Sequence, residues 1–327
     1  MAVIDQVITD QYAIYNGDCV DVLSTFPKNS IGLSIYSPPF CGLYNYSSSD
    51  LDMSNCKSYD EFMTHYSFLI EHIYRVTKPG RISVVHCMDI PNPGQKTGYY
   101  DLPGNIIRVH EQSGFNFFGR VAIWKEPLRV AIRTRLKHLT HKHLVEDSTQ
   151  STVAAGDYVL IFKKPGVNAE PITHEYGFSE YVGEREVPQE LLKYKGETEQ
   201  KNNKLSHWIW RQYASCFWDD IRIDRTLPYK PAKDPDDEKH VHPLQLDVID
   251  RCIQMWSNPE DTVMTPFMGV GSEVYGAVAN KRRGIGIELK PSYYKQAIKN
   301  LASVGIVHQQ TVDMFAGENM VEEAFDD

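Results

Sequence analysis

Ser37-Pro38-Pro39-Phe40 is the part of this chain best suited to handling an amine. A proline has a carbonyl but no backbone N–H, so at this turn Pro38 can accept a hydrogen bond and cannot donate one. Pro39 behind it stiffens the loop and aims that carbonyl at one place. The Ser37 hydroxyl supplies a second acceptor or a proton relay. Two acceptors converging on one –NH2 group favour tetrahedral nitrogen and localise a lone pair that a conjugated ring would otherwise share. Phe40 can stack on such a ring once it has left a base stack. Catalysis of this kind is orientation plus electrostatics, and needs neither a metal nor a covalent intermediate. Two prolines closing an apolar run are also what an ordinary strand end looks like, so the tetrapeptide needs company.

Its company lies far downstream, at Pro266-Phe267-Met268-Gly269-Val270-Gly271-Ser272. A strand ending at Thr265, a glycine turn and a helix starting near Ser272 let the backbone approach a ligand and offer it free amides. One strand later, Glu288 ends Gly284-Ile285-Gly286-Ile287, where an acid can accept from both hydroxyls of a ribose. The third glycine of the dinucleotide fingerprint is missing, since position 274 is Val274, which counts against a nicotinamide cofactor. His86, Cys87 and Asp89 end another strand near the tetrapeptide, but their spacing lacks a second ligand pair, and no metal is expected.

The elements that must hold these residues alternate. Strands are expected at Tyr12–Tyr15, Ile31–Tyr36, Ile82–His86, Val121–Trp124, Tyr158–Phe162, Thr262–Thr265 and Arg283–Ile287. Helices are expected at Tyr59–Val76, Gly104–Ser113, Leu244–Trp256, Val274–Asn280 and Pro291–Val304. Strand–helix alternation implies a mainly parallel, doubly wound α/β sheet. The stretch 166–235 breaks the rhythm. It is polar and proline-rich around the aromatic cluster His207-Trp208-Ile209-Trp210, and reads as an inserted lobe with its tryptophans as core anchors or outward wedges.

The chain has 327 residues, 42 % of them apolar and 24 % charged, which suits a globular protein with ample core. No run is long enough for a membrane span, and no basic leader opens the chain. Six scattered cysteines without a Cys-x-x-Cys pair suggest neither zinc nor a disulfide framework, and a reducing cytoplasm fits best. The net charge of −9 argues against a polyanionic partner only on average. Lys125, Arg129, Arg133, Arg135, Lys137 and Lys142 crowd one stretch against the single acid Glu126, with His138, His141 and His143 between them. That stretch is a candidate for gripping DNA phosphates, the alternative being a solvated face. The last ten residues carry five acids and no base, and read as a solvated tail.

Together these motifs resemble the DNA amino-methyltransferases that modify cytosine N4 or adenine N6. Ser37-Pro38-Pro39-Phe40 matches their catalytic tetrapeptide, and Pro266 to Ser272 resembles their S-adenosylmethionine loop. His242-Pro243-Leu244-Gln245, Asn16-Gly17-Asp18 and the strand Asp157-Tyr158-Val159-Leu160-Ile161-Phe162-Lys163-Lys164 resemble further family segments. Catalytic motif first and cofactor motif last is the order of the permuted, beta-type members. The resemblance implies a Rossmann-like seven-stranded methyltransferase sheet, S-adenosylmethionine as donor and duplex DNA as partner, with no membrane. It implies a catalytic half over 1–165, a target-recognition insert over 166–235, a cofactor half over 236–310 and an acidic tail over 311–327. Ser37, Pro38, Pro39 and Phe40 would face the base. Asp18, Pro266, Phe267, Gly269, Gly271, Ser272 and Glu288 would face the cofactor.

One departure stands out. The family usually carries Asp before Pro-Phe, where this chain has Thr265, so the contact to the methionine ammonium is weakened or falls to another acid. Ser first and Phe fourth are commoner among cytosine-N4 members, which makes cytosine N4 the leading expectation and adenine N6 the alternative. Methylation at the cytosine 5-carbon is disfavoured, because that reaction needs a cysteine after proline and no Pro-Cys dipeptide occurs. An RNA or protein methyltransferase, or an inactive DNA-binding homologue, remain the other classes.

Overall fold

The computed structural model describes residues 3–39, 52–91, 98–134, 139–232 and 243–304. The strands, in chain order, are β1 (Val3–Ile8), β2 (Tyr12–Gly17), β3 (Ile31–Tyr36), β4 (Thr77–Met88), β5 (Ile90–Pro91), β6 (Tyr99–Tyr100), β7 (Asn116–Ile123), β8 (Asp157–Lys163), β9 (Phe217–Trp218), β10 (Thr262–Thr265) and β11 (Arg283–Glu288). The helices are α1 (Cys19–Ser24), α2 (Tyr59–Val76), α3 (Leu102–Gln112), α4 (Pro127–Thr134), α5 (His141–Glu146), α6 (Gln189–Leu192), α7 (Lys204–Tyr213), α8 (Leu246–Trp256), α9 (Ser272–Ala279) and α10, over 291–304.

Nine strands form the main sheet in the order β1-β2-β11-β10-β3-β4-β8-β7-β9, and β5 and β6 pair separately. Strands β2, β11, β10, β3 and β4 are mutually parallel, and β8 runs antiparallel between β4 and β7. These seven match the seven-stranded sheet that the resemblance implies, with β1 antiparallel on one edge and the two-residue β9 on the other. The order also carries the permutation. The chain enters at β2 and β3 and leaves through β10 and β11, yet β10 and β11 fill the space between β2 and β3.

All six residues of β3 are buried, as a central parallel strand covered on both faces requires. Alternate residues of the neighbouring strands serve opposite layers. Val85, Leu160 and Phe162 pack under α2 and α3 with Phe62, Tyr66, Ile70 and Ile106, while Val84, Val159 and Ile161 pack under α8 with Ile249 and Ile253. His110 belongs to the first layer. It stacks on Phe162 at 3.8 Å, and burial pushes its imidazole down to about 3, so it is a neutral core residue.

The stretch 166–235 is less detached than its composition suggests. Leu205, Ile209 and Tyr213 of α7 form a small core with Phe178, Tyr181 and Trp208. Arg251 of α8 reaches into it, fully buried, and donates to the Val182 carbonyl and to Asp220 at 2.8 Å each. Arg222 and Arg225 close the seam on Asp247 at 2.7 Å each. Trp208 therefore anchors the lobe, whereas Trp210 is exposed. Residues 233–235 and the acidic tail lie outside the described residues. Among the described residues no helix is long and apolar enough to cross a membrane.

Candidate active site

In an open α/β sheet, ligands bind beyond the carboxyl ends of the strands, where the strand order reverses. Here the reversal falls between β10 and β3, and one pocket opens above it. Ser37, Pro38 and Pro39 line it from the end of β3, His86 from β4, Gly17 and Asp18 from β2, Pro266 to Val270 from the β10 loop, and Glu288 from β11. Tetrapeptide and glycine loop, remote in sequence, thus share one cavity. Phe40, His242, Arg135 and Lys137 lie outside the described residues, as does the side chain of Arg133.

The glycine loop is built for close approach. Gly269 and Gly271 have φ of 54° and 94°, the left-handed region that other residues resist. A side chain at Gly269 would meet nothing within 4 Å, while one at Gly271 would press Ala297 at 3.2 Å. Gly269 is therefore the glycine that opens space for a ligand, and Gly271 the one that seats α10. The Gly269 N–H donates to Glu288 Oε2 at 2.7 Å, and the Lys290 N–H to Oε1 at 2.8 Å. Asp18 caps α1, accepting from the Val20 and Asp21 N–H groups through one oxygen. Phe267 sits by the Tyr36 ring at 6.1 Å and packs on the main core.

On the glycine-loop side of this wall, Thr265 Oγ1, Ser272 Oγ and Gln245 Oε1 are buried and have no hydrogen-bond partner among the described residues. Buried polar groups are normally satisfied, so a row of orphans marks a place prepared for a polar ligand. Glu273 lines the same wall, buried at 4 % exposure, with its own backbone N–H beside its carboxyl. Burial pushes its carboxyl up to about 8, helped by Glu288, which burial raises to about 7 despite its two backbone donors. Two proton-hungry acids beside an open glycine loop suit a cationic nucleoside such as S-adenosylmethionine. Thr265 carries no charge, and Glu273, which sequence reasoning passed over, is an acid that lines the pocket.

At the other end Ser37 Oγ lies 2.7 Å from His86 Nδ1, and His86 Nε2 lies 2.8 Å from Asp157 Oδ1. Lys125 Nζ pairs with the second Asp157 oxygen. Sheet register makes this chain of contacts. Tyr36 pairs with Val85, which sets Ser37 beside His86. Val159 pairs with His86 and Ile123 with Asp157, so Asp157 is the diagonal neighbour of His86 on the same face, and Lys125 follows just past β7. Burial would raise the Asp157 carboxyl, but His86 and Lys125 together hold it well below the usual carboxylate range. His86 ended one expected strand and Asp157 immediately preceded another; only the pairing of β4 with β8 could have joined them.

Lys125 was expected on the DNA-gripping stretch. The structure turns it inward, one-tenth exposed, onto buried Asp157, so it is a pocket residue. Arg129 on α4 and Lys142 on α5 are exposed, and Lys142 meets Glu146 at 3.7 Å.

Comparison with known proteins agrees with this architecture. The family model for N6/N4 DNA methylases matches residues 31–299. The chain belongs to that family. It is 24 % identical over 319 residues to the type II methyltransferase M.BglI of Bacillus subtilis, covering 88 % of this chain and 85 % of that one. It is 23 % identical to the orphan methyltransferase M.BamHII of Bacillus amyloliquefaciens, covering 86 % and 92 %. Among solved structures, the PvuII DNA methyltransferase (cytosine-N4-specific) superposes with a TM-score of 0.59 at 16 % identity, covering 93 % of this chain and 94 % of that one. A Thermus thermophilus protein described as a DNA modification methylase, complexed with S-adenosyl-L-methionine, also gives 0.59, at 20 % identity with 90 % and 95 % covered. The chain is thus a DNA methyltransferase of the N4/N6 group, with S-adenosylmethionine as methyl donor.

Proposed function

We propose that this protein methylates the exocyclic amine of a base flipped from duplex DNA at a specific sequence, with cytosine N4 as the target. The observation that carries the reading is the shared cavity: Ser37 and Pro38 line it together with Gly269 and Glu288. When bound, S-adenosylmethionine supplies an already activated methyl group. Glu288 accepts from the ribose hydroxyls, Gly269 lets the ligand lie against the backbone, and Glu273 takes the ammonium contact that Thr265 cannot. Ser37 and the Pro38 carbonyl hold the two amine hydrogens and turn the nitrogen lone pair toward the methyl group. Phe40 stacks on the base. Ser37, rather than an acid or amide at the head of the tetrapeptide, supports cytosine over adenine.

Arg129, Arg133, Arg135, Lys137 and Lys142 grip the DNA backbone, and the lobe 166–235, with Trp210 outward, reads the target. The test is to methylate unmodified genomic DNA with the purified protein and sequence the modified bases. N4-methylcytosine in one sequence context is the expected result. N6-methyladenine would transfer the same chemistry to the alternative base, and an unmodified genome would overturn the reading.

A further inference from the structure

Amino methylation leaves a proton to dispose of. The nitrogen gains a bond to carbon and a positive charge, and neutrality returns only when an N–H proton leaves. Ser37 Oγ is the polar side-chain atom that the tetrapeptide sets in the pocket, and behind it stand His86, Asp157 and Lys125 in line.

Their geometry selects one protonation pattern. Asp157 is held ionised 2.8 Å from His86 Nε2, an ion-pair contact without hydrogen-bond alignment, so charge favours the ring proton on Nε2. Nδ1 is then a free lone pair, and the Ser37 hydroxyl 2.7 Å away donates to it. With its hydrogen turned inward, Ser37 presents only lone pairs to the cavity, the orientation an amine donor needs. Lys125 pairs with the other Asp157 oxygen and balances its charge.

We propose that Ser37, His86 and Asp157 form a proton relay that drains the methylated amine, with Lys125 setting its charge. The proposal rests on reading the pocket as an amino-methylation site. As the new C–N bond forms, the donor C–S bond breaks and its electron pair stays on sulfur. One amine proton passes to Ser37 Oγ while the Ser37 hydroxyl proton passes to His86 Nδ1. The products are a neutral methylamine, an unchanged serine and an imidazolium held against Asp157. Water takes that proton by the reverse path once product has left. Ser37 touches the amine and is catalytic; His86 and Asp157 act through it. A buried imidazolium without an anion beside it would be costly, and Asp157 removes that cost.

Among the described residues the charged groups facing His86 are Asp157 from β8 and Lys125 from the end of β7, and the end of β3 contributes neutral Ser37. Asp18, Asp52, Glu273, Glu288 and Lys290 stand elsewhere on the same pocket wall. The relay therefore shows as a fall in the single-turnover rate on the acid side of its pH profile.

Single-turnover methylation of genomic DNA by the full chain should drop roughly 100-fold or more in His86→Gln and Asp157→Asn, the scale of losing one general base. Donor affinity by calorimetry should change less than about twofold, since neither residue belongs to the cofactor end. In His86→Gln the fall on the acid side should vanish, and added imidazole should restore part of the rate to His86→Ala. Thermal unfolding confirms that each variant is folded, and the isosteric Asp157→Asn and size-matched His86→Gln stand in if His86→Ala is not. Wild-type rate and profile in His86→Gln would overturn the relay, as would a slowed enzyme with an unchanged profile and no imidazole rescue. A wild-type protein that binds donor but modifies no base strikes instead at the amino-methylation reading.

Discussion

The two ends of the pocket bury acids in opposite electrical states. On the glycine-loop side burial raises Glu273 to about 8 and Glu288 to about 7, the latter despite the nearby Lys290. At the catalytic end Asp157 is buried as deeply, yet His86 and Lys125 keep it ionised. Buried acids around one pocket therefore stand in two states, and the difference lies in which partners the fold supplies.

The comparison breaks first at Ser37. Ser37→Ala should slow methyl transfer by about 10- to 1000-fold while leaving donor affinity unchanged, because it removes one contact made at the reacting nitrogen. A variant with normal turnover would remove Ser37 from the chemistry. Glu288→Ala should do the reverse, weakening S-adenosylmethionine by roughly 2 to 3 kcal/mol as its charge-assisted hydrogen bonds go. Wild-type affinity in a folded Glu288→Ala protein would move the cofactor elsewhere.

Glu273→Gln should cost less, about tenfold in donor affinity near neutrality, because part of the gain from pairing goes into ionising an acid raised to about 8. The sign is clear. Donor binding favours the ionised carboxyls, so it should release protons, and affinity should climb as pH rises toward 8 and then level. Calorimetry in buffers of different ionisation enthalpy reads the released protons directly, and Glu273→Gln should lower their number. Without donor, both acids hold protons more tightly folded than unfolded. Their contribution to stability is complete below about pH 4.5 and is lost as pH rises through 7 and 8. Unfolding scans with and without donor across that window should converge at the acid end and separate at the alkaline end.

The smallest effect belongs to the surface. Arg129→Ala should weaken specific and nonspecific DNA alike and flatten the plot of log affinity against log salt by roughly one unit. An unchanged slope would return α4 to a solvated face. Substituting Trp210 should instead alter site choice more than salt dependence.

Sequence patterning located twelve of the strands and helices because each rests on local periodicity. Buried β3 and amphipathic α2 stop at Tyr36 and Val76, where turn and cap residues end them. It missed α1, which Asp18 caps just after a recognised motif, and α7, whose apolar face was hidden in polar company. Strand β9 is two residues long and exists only because β7 offers an edge. The lobe it belongs to carries no motif, since its seam is made by Arg251, Asp220 and Asp247, ordinary residues far apart in the chain.

What the sequence determined by itself is the chemistry of two short segments, each legible because its residues are backbone neighbours. Ser37-Pro38-Pro39 sets acceptors at a stiff turn, and Gly269, Gly271 and Glu288 set a close approach and an acid. Tertiary structure alone decided which other groups complete them. Glu273 became a cavity acid because α9 turns it inward, and Lys125 became an internal counter-charge rather than a phosphate contact. The line from Ser37 to His86 to Asp157 depends on the registers of three strands, and a shift of one residue in any of them would turn its member to the opposite face of the sheet.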